Sequence, residues 1–183
     1  MKKILALVMS VLLVFTFAAC GGKKPTTDIK DSYELLSAVW KGYAEKDVFP
    51  VGDALGIAMN EPGALGVENT DVLDSTLGFP AASVSKIDNA ASMVHMMNLN
   101  TFTSGVYHVV DHTELDGLVA EIKNNIMNRQ WMCGFPDKLV IITVDDLYII
   151  SAFGKSDLVD NFASYVAAAY PQAKTVVDEA IIV

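Results

Sequence analysis

The second half of the chain combines two helical patterns with two apolar strand patterns. One helical face is formed by Leu115, Leu118, Val119, Ile122 and Ile126, and another by Leu158, Phe162, Tyr165, Val166 and Ala169. Between them lie two dense apolar runs, Leu139 to Val144 and Leu147 to Ala152. These patterns predict an α+β fold in which a mostly antiparallel sheet of about four to five strands packs against two long helices.

Local signals predict where the helices begin. An additional N-terminal helix is expected from Asp31 or Ser32 to near Glu45, since either residue can cap it. Thr113 to Asp116 matches a capping box for the first long helix, which then runs to about Trp131, and Ser156 is expected to cap the second.

The remaining strands are predicted from apolar and β-branched residues. β-like segments cover Ala82 to Ile87, Ser92 to Leu99 and Gly105 to Asp111, and the tail to Val183 could add a short strand. Glycines and prolines interrupt Lys46 to Pro80, where only a short helix from Asp71 to Leu77, capped by Thr70, is expected. The predicted core is Leu115, Leu118, Ile122, Ile126, Leu139, Ile141, Val144, Ile149, Phe162 and Val166.

The N-terminus has the pattern of an export signal. Lys2 and Lys3 precede an apolar run from Ile4 to Ala19, which as a helix would be about 24 Å long and too short for a bilayer core of about 30 Å. Phe17-Ala18-Ala19-Cys20 resembles the lipobox of bacterial lipoproteins, although an aliphatic residue usually stands where Phe17 does. We therefore predict a signal peptide at 1–19, a tether at 20–30 and one α+β domain at 31–183; an uncleaved signal anchor is the alternative.

Acylation of Cys20 would anchor the protein to membrane lipid on the outer face of the cytoplasmic membrane. Cys20 and Cys133 are the only two cysteines, so a lipidated Cys20 leaves Cys133 without an intramolecular disulfide partner. Because Cys133 continues the apolar stretch Trp131-Met132, we expect it to be buried and unreactive.

The charge of the chain excludes one class of partner. The formal net charge is −9, and removal of Lys2 and Lys3 with the signal would leave 11 basic against 22 acidic residues, a net charge of −11. An acidic body repels phosphate backbones, so nucleic acid is not an expected partner.

A family resemblance becomes visible in the second half. Met96-Met97-Asn98-Leu99, a strand from Val106 to Val110, a capped helix to Arg129-Gln130 and the segment Asp145-Asp146-Leu147-Tyr148 follow one another in that order. This order resembles a family of small Gram-positive lipoproteins known only as a domain of unknown function, over roughly residues 88 to 165 plus the signal. The resemblance implies an extracytoplasmic, anchored α+β domain and brings no activity, cofactor or catalytic residue.

The three histidines, His95, His108 and His112, lie close together in the sequence. A hairpin turning at Thr101 to Thr103 would place His95 opposite His108, with Cβ atoms about 5 Å apart, close enough for both rings to reach one metal ion. The alternative is a pair of partly buried core histidines, because a slip of one residue separates the two rings.

Two other polar or soft clusters have simpler interpretations. Asp145-Asp146 could be a carboxylate dyad or cation site, but a polar pair between two apolar strands is typical of a turn. Met93, Met96 and Met97 could suggest copper(I) binding, but adjacent strand residues face opposite sides, so core packing is expected.

No motif for nucleophilic catalysis, dinucleotides or phosphate loops is present, so an enzyme is the third choice and no cofactor is predicted. The first choice is a non-enzymatic module that binds a protein or another envelope ligand through loops in Lys46 to Pro80. The alternative is a metal or small-ligand receptor using His95 and His108. Exposed apolar residues in Val51 to Leu77 would favour the first, and a preformed polar pocket around His95 the second.

Overall fold

A computed structural model describes residues 28–182, which contain four α-helices and one seven-stranded sheet. The helices are α1 (Ser32–Lys41), α2 (Thr70–Ser75), α3 (Leu115–Met127) and α4 (Ser156–Ala169). The strands are β1 (Val51–Gly52), β2 (Gly63–Leu65), β3 (Ile87–His95), β4 (Phe102–Val109), β5 (Lys138–Val144), β6 (Tyr148–Gly154) and β7 (Lys174–Ala180). Short 3₁₀ helices cover Glu45–Asp47, Ala81–Lys86 and His112–Glu114.

All strand pairs in the sheet are antiparallel, and the order is β1-β3-β4-β6-β5-β7. β2 also pairs with β3, beside β1 on the same edge. The sheet is therefore larger than the four to five strands expected, because the short strands β1 and β2 come from a segment that glycines and prolines made difficult to interpret.

Helices cover both faces of the sheet. Apolar side chains of α1 and α4 pack on the face that includes Val106, whereas those of α2 and α3 pack on the face that includes Tyr107. Burial on both faces explains why β5 and β6 are nearly continuous apolar runs. All ten predicted core residues are buried, and the broad α+β class is confirmed.

Several predicted boundaries were wrong. The segment Ala82 to Ile87 is mostly the 3₁₀ helix Ala81–Lys86, and the strand that follows begins at Ile87. Ser92 to Leu99 and Gly105 to Asp111 are each displaced toward the C-terminus relative to the observed β3 and β4. The apolar residues mark burial correctly here, but burial does not distinguish a strand from a 3₁₀ turn or a loop.

The helix starts were partly correct. Asp31 caps α1 as expected, since its carboxylate accepts a hydrogen bond from the Glu34 backbone N–H at 2.8 Å. The predicted capping box at Thr113 does not form; Asp111 instead accepts hydrogen bonds from both the backbone N–H and the hydroxyl of Thr113. Thr70 and Ser156 are the first helical residues of α2 and α4, and neither acts as the cap.

Much of the irregular segment from Lys46 to Pro80 is part of the core. Leu65, Leu73, Leu77 and Phe79 are buried against α3. Arg129 ties this segment to the end of α3 by donating hydrogen bonds to backbone carbonyls, at 2.7 Å to Asp74 O and 3.4 Å to Thr76 O. Only a part of the segment is thus left as exposed loop.

The sheet has two distinct ends. At the end where β3 begins, called the near end, the Tyr148 hydroxyl donates a hydrogen bond to the carbonyl of Ile29, where the described chain enters the domain. At the opposite end, called the far end, β3 stops at His95 and β4 begins at Phe102. Strands of seven to nine residues separate the two ends by about 23–30 Å.

Two glycines give a test of this packing. Gly154 has φ of 150°, and a Cβ there would collide with the backbone of Thr101 and Phe102, so Gly154→Ala should lower the free energy of unfolding by about 1–3 kcal/mol. Gly117 lies in α3 with open space around it, so Gly117→Ala should raise the free energy of unfolding by about 1 kcal/mol. Urea denaturation measures both, and a neutral Gly154→Ala would contradict the pairing of β4 with β6 described above.

Candidate functional site

Three loops carry exposed apolar side chains at or beside the far end of the sheet, and the first of them is a hairpin that turns back along the β3 edge as far as Ser92. They comprise residues 53–59, 96–101 and 130–136, and are called the far loops below. Eight of the fourteen large exposed hydrophobic residues in the described part of the chain lie in them: Leu55, Ile57, Met59, Met96, Met97, Leu99, Met132 and Phe135. Apolar surface gathered in this way typically marks an interaction site.

The far loops are nearly free of charge. Asp53 is the one aspartate, glutamate, lysine, arginine or histidine among them and is only 6 % exposed, although the chain as a whole has 22 acidic and 13 basic residues. They also contain four of the eight methionines of the chain. Depletion of charge together with enrichment in methionine and aromatic residues is the compositional pattern of the core of a protein interface.

Hydrogen bonds hold two of the far loops together. The Asn98 side-chain amide donates to the Cys133 carbonyl at 3.0 Å, and that of Asn100 donates to the carbonyls of Met132 and Gly134, both at 2.9 Å. Beyond the end of the sheet, the two asparagine side chains thus join the loops where strand pairing no longer does. The exposed apolar residues of both loops therefore lie on a backbone that these hydrogen bonds hold in place.

A cleft of about 430 Å³ lies between the first far loop and the end of β3. One wall is formed by small residues of a hairpin, Gly52, Ala54, Gly56 and Ala58, and the cleft opens beside the apolar loops. The remaining lining residues are Asp53, Leu55, Met59, Val94, His95, Met96 and Leu99. The lining is therefore mostly apolar, with two polar side chains.

Asp53 shapes the hairpin that forms this wall. Its carboxylate accepts a hydrogen bond from the Ile57 backbone N–H at 2.7 Å, and the backbone N–H of Ala54 donates to the Ser92 hydroxyl at 2.9 Å. Gly63 lies so close to Asp53 that a Cβ there would collide with the carboxyl group. These contacts fix the loop, which explains why Asp53 is a buried acid among apolar residues.

His95 is the titratable base beside the cleft. Its ring stacks on Phe49 with centroids 5.8 Å apart, and its Nδ1 accepts a hydrogen bond from the Met97 backbone N–H at 3.2 Å. Burial lowers the pKa of His95 below its ordinary value of 6.5, because desolvation penalises the charged ring. His95 thus supports the loop in its neutral form.

The predicted facing of His95 and His108 is wrong. His95 pairs with Val51, and the β3–β4 register places Asn89 opposite His108, so the two histidines are separated by about 20 Å of strand. The connection spans Met96 to Thr101 rather than a tight turn at Thr101 to Thr103, and this added length shifts the register.

The other polar candidates are also separated. His108 Nδ1 lies 2.7 Å from Asp88 Oδ1 at the near end, and His112 is an exposed residue 3.9 Å from the Asp111 carboxylate. Within residues 28–182, no group of three or more histidine, cysteine, aspartate or glutamate side chains is arranged to hold a metal ion. Asp145 and Asp146 form the turn between β5 and β6, with φ of 53° and 57°, as expected.

Two expectations about the sulphur-containing residues are corrected. Cys133 is exposed, not buried: the helix ends at Met127, Trp131 alone of the apolar stretch packs against the core, and the chain turns at Cys133 with φ of 60°. Met93 is a core residue as expected, but Met96 and Met97 lie beyond the end of β3 and are 44 % and 82 % exposed.

Sequence reasoning missed the assembly of the far loops. The available signal was the absence of charge from Met96 to Thr101 and from Gln130 to Pro136, in a chain that is otherwise strongly acidic. Their meeting depends on pairings between residues more than thirty positions apart, which local patterns do not encode.

Comparison with protein-family models, curated proteins and solved structures finds no match for the chain. The predicted signal peptide, Cys20 and the tether up to residue 27 lie outside the described residues. In the part of the chain from residue 28 to residue 182, none of the helices has the length and apolarity to cross a membrane.

The lowered pKa of His95 predicts a pH dependence of stability. Because the unfolded chain binds a proton at His95 more readily than the folded one, the free energy of unfolding should fall as pH drops through about 6.5. His95→Asn keeps a hydrogen-bond acceptor but does not titrate, so the fall in the free energy of unfolding between pH 7 and pH 5 should be smaller in this variant. Urea denaturation at several pH values measures the difference, and identical pH profiles for both proteins would refute the burial of the ring.

Proposed function

We propose that this chain is a lipid-anchored extracytoplasmic lipoprotein that acts as a non-enzymatic binding module. The signal pattern and Cys20-Gly21-Gly22 support the anchor, and the far loops support the binding role. The resemblance to small Gram-positive lipoproteins is part of the same proposal. The observation that carries the binding role is the apolar surface, almost free of charged side chains, that three separate loops form at and beside the far end of the sheet.

The position of the far loops favours a partner away from the membrane. The chain enters the domain at the near end, where Ile29 contacts Tyr148, and the tether of about ten residues reaches roughly 17 Å root-mean-square from there. Through a tether of this length, an acylated Cys20 keeps the near end within reach of the membrane and favours orientations in which that end faces it. The far loops then point away from it, toward other exported molecules.

The charges favour a protein partner over a lipid surface. Loops that bind anionic lipid normally present free lysine or arginine beside their apolar residues. The far loops contain neither, and the adjacent Arg129 and Lys155 already donate to backbone carbonyls, with Lys155 also paired to Asp137. The apolar surface also has the methionine content of adaptable protein-binding surfaces. The occupant that we propose is a segment of an exported protein.

A small-ligand receptor is the second candidate. The cleft beside His95 is within the size range of small-molecule pockets, which is the observation that favours it. The version that uses both histidines as metal ligands is not proposed, because the observed register keeps His95 and His108 apart.

The anchor is tested with the full-length chain in its exporting cell. Cys20→Ser removes the acylated atom and should move the protein from the membrane fraction to the soluble fraction. Cys133→Ser is the matched control and should leave the protein in the membrane fraction, because Cys133 lies on the exposed far loops. Equal membrane retention of the Cys20→Ser and wild-type proteins would refute lipid anchoring at Cys20.

Binding by the far loops is tested with a phage-displayed library of 12-residue peptides and the domain from residue 28 to residue 183. Enriched peptides should bind Ile57→Asp and Met97→Asp at least about tenfold more weakly, since a charge placed in an apolar contact must be desolvated. Val110→Asp, an exposed apolar residue at the near end, is the control and should bind normally. Failure to enrich any peptide, or equal binding by all four proteins, would refute the proposed surface.

A further inference from the structure

The cleft at the far loops has the dimensions of an anchor pocket for a side chain. Its volume of about 430 Å³ exceeds that of any one amino-acid side chain, so a large aromatic or aliphatic group can enter with part of its backbone. The small residues Gly52, Ala54 and Ala58 leave the space open on one side. Met59 and Met96 also line the cleft, and methionine side chains can adapt to the shape of the group.

Gly52 allows the wall of the cleft to pack closely. A Cβ at Gly52 would lie 2.9 Å from the Ala58 carbonyl oxygen and 3.4 Å from Met96 Cγ. The glycine therefore allows the hairpin and the Met96 side chain to approach the same point. Residues in well-packed pockets of this kind typically account for most of the binding free energy of an interface.

The body around the cleft carries a large negative charge. Residues 28–182 contain 9 basic and 22 acidic residues, a formal net charge of −13. Five of the nine basic residues are already in ion pairs with carboxylates: Lys86, Lys123, Lys138, Lys155 and Lys174. Arg129, a sixth, donates to backbone carbonyls. A partner that approaches the far loops therefore meets a negative potential, which attracts basic groups.

Acidic groups also stand at the margins of the far loops. Glu61 follows the hairpin of the first far loop and is exposed. Beside the third far loop, Asp137 is paired with Lys155 at 3.0 Å, and Lys155 also donates to the Phe135 carbonyl, so the charges there balance. The surface itself is thus apolar, and the negative field around it comes from the net charge of the domain together with the exposed Glu61.

On these grounds we propose that the far loops bind a peptide segment in which one large apolar side chain enters the cleft and is flanked by lysine or arginine. The apolar group supplies the anchor, and the basic residues match the negative field around it. This inference rests on the proposed function of the far loops. It names the chemistry of the segment that an exported partner protein would present.

The test uses synthetic peptides of eleven residues and the ¹⁵N-labelled domain from residue 28 to residue 183. The reference peptide has tryptophan at its centre, a lysine three residues away on each side, and glycine and serine elsewhere. One matched peptide replaces the tryptophan by alanine, and another replaces both lysines by glutamates. NMR chemical-shift changes locate the site, and their concentration dependence gives each Kd.

The reference peptide should shift the amide signals of Gly52, Gly56 and Leu99. Replacement of tryptophan should raise Kd at least about tenfold, since the anchor is lost. The acidic peptide should bind at least about threefold more weakly than the reference at 50 mM salt, and this difference should shrink at 500 mM salt. Equal binding by the tryptophan and alanine peptides, stronger binding by the acidic peptide, or shifts confined to other regions would overturn the inference.

Two protein variants test whether the cleft is the site. Ala58→Trp should fill the cleft and abolish the chemical-shift changes. If this variant does not fold, Leu99→Asp serves instead: Leu99 is 43 % exposed, and a charge there at the rim of the cleft should also abolish the changes. Val110→Trp is the control at the near end and should leave Kd unchanged. Unchanged binding by a folded Ala58→Trp or Leu99→Asp protein would also overturn the inference.

The outcome is distinguishable from failure of the proposed function. If the library still yields ligands whose binding depends on Ile57 and Met97, but the reference peptide does not bind at the cleft, the inference about the cleft is refuted and the proposed binding surface is retained. If neither the library nor the reference peptide yields binding, the inference and the proposed function are both refuted.

Discussion

Antiparallel pairing of β4 with β6 at the centre of the sheet is the contact on which the other features of this domain depend. It joins the β3–β4 hairpin to the β5–β6 hairpin, and every residue of β6 is buried. Because both faces of these strands are apolar, helices must cover both, and α1 with α4 and α2 with α3 do so. Little of the sheet's own surface is then left for a ligand.

Because helices cover both faces of the sheet, the surface that remains for a partner lies mainly at the ends of the strands. At the near end the connections are polar, with the Asp145-Asp146 turn and the His108–Asp88 contact. At the far end, residues 96–101 and 130–136 form longer connections that carry no charged side chain and are joined by asparagine side chains. Exposed apolar groups cost solubility, and their collection at and beside the far end is the observation on which the proposed binding role rests.

Local patterns were sufficient for much of the fold. The stripe from Leu115 to Ile126, the apolar runs of β5 and β6 and the turn between them are each determined by neighbouring residues, and the predicted core is buried throughout. The β3–β4 register was not predictable in this way, because the length of its connection depends on asparagine contacts with residues 132–134. The same non-local contacts join two of the far loops, which local patterns do not predict. Local patterns therefore indicated only the two histidines as a candidate site.

In the proposed function, the far loops face away from the membrane when the chain is anchored. Cys133 offers a direct measurement, because it is an exposed thiol on those loops and Cys20 would be blocked by acylation. A fluorophore on Cys133 of the acylated chain in vesicles that contain nitroxide lipids should keep its full emission, whereas one on Lys30→Cys in a Cys133→Ser background should be quenched. Quenching at Cys133 as strong as at residue 30 would contradict the account.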